Sequence, residues 1–229
     1  MVGGHVYSPA EPFATALLIQ DRVIAWIGTD AGADVHVSDV DTVVHLGGDL
    51  VAPGFVHLAE THPPAEGGFV HGERTEVPVA DRWVAQAWDN AAGQPLAVVP
   101  RDPCRLRSRV AAGTPTALVP SHGTHNGWEV LRAAVHGVAA DEALTARAAF
   151  SALTRGAWRL LGHPTRGVLE VGSDATFAQW AVTDLLIETP DERISNWSTD
   201  PRATTPGLPP LDGTLPGFRR LWREGMPSR

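Results

Sequence analysis

Two short runs hold the residues of this chain best suited to hydrolysis: His57, Glu60 and His62 in the first, His122 and His125 in the second. Metal-assisted hydrolysis needs neutral imidazoles or carboxylates converging on a cation, with one position open for a water whose pKa the metal lowers. On that chemistry His57, His62, His122 and His125 are the candidate metal ligands, and Glu60 is the candidate catalytic residue, carrying a proton. Neither histidine spacing specifies a site by itself, and both pairs read equally well as solvated loop histidines. A second candidate chemistry centres on Cys104, since a thiolate beside a base attacks carbonyl carbon and Arg101, Arg105, Arg107 and Arg109 would lower its pKa. No nucleophile-elbow motif accompanies it, and an inert thiol beside a solvated basic face is the alternative.

Strands must position the first run. Thr15 to Ile19, Val23 to Ile27 and Thr42 to Leu46 carry β-branched and aromatic residues and read as short strands. Gln20-Asp21-Arg22 is short enough to close the first two into a hairpin, although it lacks the glycine such a turn favours. Leu50 to Val56 then leads directly into His57. Pro63-Pro64 and Gly67-Gly68 mark an irregular stretch reaching about Pro78, and residues 81 to 89 are expected to form a short helix. The second run follows Thr116 to Val119, a short apolar strand. From Asp141 to Leu161, Leu144, Ala148, Leu153, Ala157 and Leu160 recur near helical spacing, with Gly162 and Pro164 as the stop. Thr176 to Val182 and Leu185 to Glu188 return to strand character, and residues 200 to 217 are rich in Pro and Gly. Trp26, Trp158 and Trp180 fall in these elements and are expected in the core rather than on a ligand platform.

Composition narrows the function classes. The 229 residues suit one domain, or one with a small satellite, because single cores organise about 100 to 200 residues. Hydrophobic content of 43%, charged content of 19% and eight tryptophans are those of a folding chain. A net charge of −8 offers no footprint for nucleic acid or anionic lipid, which leaves a small molecule as the expected partner. All 18 basic residues are arginine. With Cys104 the only cysteine, no intrachain disulfide framework exists. The opening residues lack a signal-peptide pattern and no run approaches a membrane span of about 18 apolar residues, so the expected location is the cytoplasm. Asn196-Trp197-Ser198 matches a glycosylation sequon, which has no role without export.

Two patches resemble the amidohydrolase superfamily, particularly the bacterial enzymes grouped as amidohydrolase family 3. In residues 3 to 56 the resemblance lies in a glycine-rich opening, a hairpin ending in Trp26-Ile27-Gly28, and Leu46-Gly47-Gly48-Asp49-Leu50-Val51-Ala52-Pro53-Gly54-Phe55-Val56. In residues 141 to 206 it lies in Glu142-Ala143-Leu144, Thr154-Arg155-Gly156-Ala157 and Gly167-Val168-Leu169-Glu170-Val171-Gly172-Ser173-Asp174-Ala175, which are similar to the last barrel helix and the return strands. Residues 113 to 136 resemble the approach to the eighth barrel strand, with Trp128 to His136 as the helix after it. Together these matches cover about half of the chain. The resemblance implies a composite β-sandwich made from both chain ends beside a (β/α)₈ barrel that carries the metals. It also implies hydrolysis of non-peptide C–N bonds through metal-activated water, a divalent metal such as Zn as cofactor, and a small amide-like substrate.

The sequence departs from that pattern where the chemistry would sit. A (β/α)₈ barrel takes about 200 residues or more, and residues 57 to 140 supply 84. The family's first His-x-His would fall near positions held here by Ala59 and Thr61. The carboxylated lysine that bridges two metals in many relatives has no counterpart in a chain without lysine. No carboxylate stands between Val119 and His122, where the aspartate ending the eighth strand would fall.

The expected fold class is therefore mixed α/β: a composite β-sandwich from residues 1–56 and 163–229, and a truncated barrel remnant over 57–162 that ends in a helix at 141–161. The N-terminal strands and residues 167–188 are expected to share one sheet system, since each set alone is too small to bury both faces. Three alternatives stay open for function: a metal-dependent hydrolase, a non-catalytic barrel-depleted remnant acting in association, and an incomplete chain of an intact amidohydrolase. Without its barrel the sandwich would bare an apolar sheet face, from which a homo-oligomer or a poorly soluble monomer is expected.

Overall fold

The computed structural model describes residues 1–59, 77–79, 82–86, 96–98, 106–113, 116–118, 126–160, 163–186 and 206–228. Along the chain these form β1 (His5–Val6), β2 (Ala16–Gln20), β3 (Val23–Gly28), α1 (Asp30–Ala33) with a 3₁₀ turn at Asp34–Asp39, β4 (Leu50–Ala52) and β5 (Phe55–Ala59). There follow β6 (Val77–Val79), β7 (Arg82–Gln86), β8 (Leu96–Val98), α2 (Leu106–Ala111), β9 (Thr116–Leu118), α3 (Gly127–His136), α4 (Ala146–Leu153) and α5 (Arg155–Leu160). The chain ends with β10 (Phe177–Ala181), β11 (Gly217–Arg223) and β12 (Met226–Pro227). It divides into two compact units, Met1–Pro53 with Val168–Arg229, and Gly54–Gly167.

The first unit draws its main sheet from both chain ends. Its strand order is β1-β4-β10-β11-β12, with β1 parallel to β4 and every other neighbour antiparallel. Ala178 faces Ala52, Gln179 faces Val51 and Trp180 faces Leu50, so residues more than 120 positions apart share a ladder. The hairpin β2–β3 is a separate two-stranded sheet, tied to the C-terminal stretch by an isolated bridge between Val23 and Asp174 and a 2.9 Å bond from Ile24 N–H to Ser173 O. Val6, Leu17, Ile24, Ile27, Leu46 and Val51 from the N-terminal stretch pack with Leu169, Ala175, Phe177 and Trp222 from the C-terminal one in a single buried cluster. The expected sharing is thus observed in part: β1 and β4 lie in one sheet with the C-terminal strands, while β2–β3 meets them through the core and an isolated bridge.

Consecutive residues Leu50, Val51 and Ala52 are all buried, as are Phe177 with Ala178 and Leu221 with Trp222. Neighbours along a strand point to opposite faces, so at these positions the sheet is covered on both sides, whereas Gly217–Arg220 of β11 and both residues of β12 are exposed. Among the described residues the exposed large hydrophobics, Phe13, Val35, Val43, Val171, Phe218 and Met226, come from separate places along the chain.

The β2–β3 turn shows how the chain manages without glycine. Asp21 and Arg22 both adopt positive φ, 50° and 71°, between the paired Gln20 and Val23. That is the backbone of a type I′ turn, whose twist matches the flanking strands but costs a residue with a Cβ. The Arg22–Glu224 ion pair at 3.3 Å joins two exposed side chains and contributes only a few tenths of a kcal/mol. Asp21→Asn with Arg22→Gly is therefore expected to raise stability by about 1 kcal/mol. In urea the midpoint should rise at unchanged m; a falling midpoint would show that Arg22 contributes more than its ion pair suggests.

Three expected elements differ in the structure. Residues 42–46 make a single bridge, Val2 with His45, and regular pairing of the two segments resumes only at His5 with Leu50, beyond Gly47 and Gly48 at positive φ. Residues 82–86 form strand β7 instead of a helix: pairing in parallel register with β5, from Phe55 with Arg82 to Ala59 with Gln86, overrides local helical preference. The helix expected at 141–161 begins only at Ala146, where the Thr145 hydroxyl accepts from Ala148 N–H, and it breaks at Thr154 (φ −122°, ψ −96°) into α4 and α5. Thr154 Oγ1 donates to Phe150 O at 2.8 Å, satisfying a carbonyl at the end of α4. A further expected strand, 185–188, is described only at Leu185 and Leu186, where Leu186 makes an isolated bridge to Leu208; Ile187 and Glu188 lie outside the described residues.

The second unit mixes α and β. Its described strands fall into a three-stranded sheet, β5-β7-β6, and a parallel pair, β8-β9. Helix α2 lies between β8 and β9 in sequence, giving a β-α-β unit, and α3 follows β9. Helices α4 and α5 pack against both β5 and β9. Phe55, Trp128 and Phe150 form its aromatic centre, with Phe55 edge-on to Trp128 at 5.1 Å and to Phe150 at 5.7 Å.

Candidate functional site

Strand β5 carries His57 into its parallel ladder, where its backbone lies opposite Val84. The chain leaves the C-terminal end of β5 at Ala59 and runs directly into Glu60 and His62. Strand β9 ends at Leu118, four positions before His122 and seven before His125. In sequence, Glu60 and His62 thus follow the carboxyl end of β5, and His122 and His125 that of β9, both strands with parallel partners; open α/β sheets place ligands at that end. The side chains of Glu60, His62, His122 and His125 lie outside the described residues, as do Cys104, Arg101 and Arg105, and His57 is described by its backbone.

Two glycines bring the helices close to these strands. A Cβ on Gly127 would overlap the ring of Phe55, so only glycine lets the first turn of α3 lie on β5. Asn126 Oδ1 accepts from Trp128 N–H at 3.0 Å and starts the helix at that position. A Cβ on Gly156 would come within 2.6 Å of Thr116 O, so α5 rests against the backbone of β9. The break at Thr154 redirects the chain two residues before this approach.

Other polar groups in the structure are tied into the fold. In the first unit Asp49 Oδ2 accepts from Gln179 Nε2 at 2.8 Å and lies 3.7 Å from Arg219 Nε. Trp222 Nε1 donates to Gln179 Oε1 at 3.4 Å, extending this network. Ser8 is fully buried, and its hydroxyl donates to Leu169 O at 2.7 Å. The Met1 amine donates to Leu17 O at 2.8 Å, and burial pushes its pKa below the usual α-amino value against the opposing influence of Asp30. These contacts join parts of the chain that are distant in sequence.

The remaining candidates sort plainly. Arg107 is exposed, and its backbone N–H donates to Glu142 Oε2 at 3.2 Å. Trp158 and Trp180 are buried, as expected for core residues. Trp26 is half-buried, lying over Gly28 and Gly32 with the His36 ring 5.2 Å away. Among the described residues no group of three or more His, Cys, Asp or Glu side chains is placed to hold a metal ion. Among them, too, no helix is long and apolar enough to cross a membrane. Sequence reasoning missed the Phe55–Trp128–Phe150 cluster; its one signal was Asn126-Gly127-Trp128, a capping residue before a glycine and a large aromatic.

No protein-family model matches the chain, and no curated protein matches it.

Proposed function

We propose that this chain is an amidohydrolase-like protein of cytoplasmic origin, built from a composite sandwich and a shortened piece of barrel, whose lineage hydrolyses non-peptide C–N bonds of small amide-like molecules. One observation carries the proposal. The two chain ends share a sheet, while the segment between them holds strands with parallel partners, β5 carrying His57 and followed in sequence by Glu60 and His62, and β9 followed by His122 and His125. Four imidazoles and a carboxylate are a donor set suited to Zn²⁺. His57, His62, His122 and His125 would hold the ion, and Glu60 would accept and return a proton. A bound Zn²⁺ would supply Lewis-acid activation of water.

With Ala59 and Thr61 at the expected His-x-His positions and no lysine to bridge a second ion, binding should be weak. Elemental analysis of protein purified without added metal is expected to find well under one Zn²⁺ per chain. Dialysis against Zn²⁺ should bring this to about one, and His57→Ala with His122→Ala should abolish the gain. Hydrolysis of a panel of N-acyl and cyclic amides by Zn²⁺-loaded protein tests the activity. Zn²⁺ uptake unaffected by the double substitution would refute the site.

The same departures from the family pattern favour a second reading, a non-catalytic remnant that acts by self-association. It expects light scattering on dilute protein to give a multiple of 24.3 kDa with no hydrolysis of the panel. A stable 24.3 kDa monomer would reject it. Since Leu50–Ala52 and Phe177–Ala178 of the main sheet are buried, such association would have to use other surface, such as the exposed first half of β11.

A further inference from the structure

We draw no further inference here: the strongest candidate, the arginine-bearing strand Gly217–Arg223 of the five-stranded sheet, where Phe218, Arg219 and Arg220 form an exposed patch, carries nothing because nothing in the structure shows what covers it.

Discussion

Replacing Trp128 with alanine is expected to remove about 3–5 kcal/mol of stability, the usual result of emptying a large aromatic site in a packed core. Trp128 is fully buried, edge-on to Phe55 at 5.1 Å and 5.9 Å from Phe150. These rings join β5, α3 and α4, so the cavity would open where three elements meet. Whole domains are stabilised by only about 5–15 kcal/mol, and the loss is a large share of that. Hydrogen exchange should show faster opening of amides in Gly127–His136 and Ala146–Leu153. Trp128→Phe keeps a ring in the site and should recover much of the loss. Unchanged exchange in α3 and α4 after Trp128→Ala would mean that the cluster does not hold these helices together.

What the sequence made legible follows from how local each signal is. The β2–β3 hairpin and β10 were readable because β-branched and aromatic residues concentrate there and the connection between β2 and β3 is short. Helix α3 begins beside the expected Trp128, because Asn126 is a strong helix-capping residue. Strand β11 was missed: Phe218, Arg219 and Arg220 are exposed in succession, so no two-residue alternation marks the first half of the strand. The ladder between β10 and β11 also shifts register at Gln179–Trp180, and no local pattern in either strand announces such a bulge. The break at Thr154 was equally hidden. Apolar spacing continues across it through Leu153 and Ala157, whereas its context, the close approach of Gly156 to Thr116 O, is a contact between residues 40 apart.

The candidate site was legible only as residue types. His57, His62, His122 and His125 could be chosen for their chemistry, but spacings of five and three do not define a coordination geometry. The structure adds that β5 and β9, the strands nearest the two runs in sequence, pack on one helix pair. That placement depends on Gly127 and Gly156, which read from sequence as ordinary turn or helix glycines.

Phe177→Ala should be as damaging to the first unit as the Trp128 substitution is to the second, and for a reason specific to a sheet assembled from two ends. Phe177 is fully buried and its ring stacks against Trp222 at 6.1 Å. It belongs to the cluster that contains Val6, Leu17, Ile24, Ile27, Leu46 and Val51 from the N-terminal stretch. Removing the ring costs about 3–5 kcal/mol, and neither set of strands has an equivalent core of its own. A two-stranded hairpin such as β2–β3 is at best marginally stable alone. Amides of Ala16–Gln20, Val23–Gly28 and Leu50–Ala52 should therefore lose protection together with those of Phe177–Ala181 and Gly217–Arg223, although the substitution lies in the C-terminal stretch. Phe177→Leu, which keeps most of the apolar volume, should cost less and retain the same joint pattern. Loss of protection confined to Phe177–Ala181 and Gly217–Arg223 would show that the N-terminal strands hold their structure without the shared core.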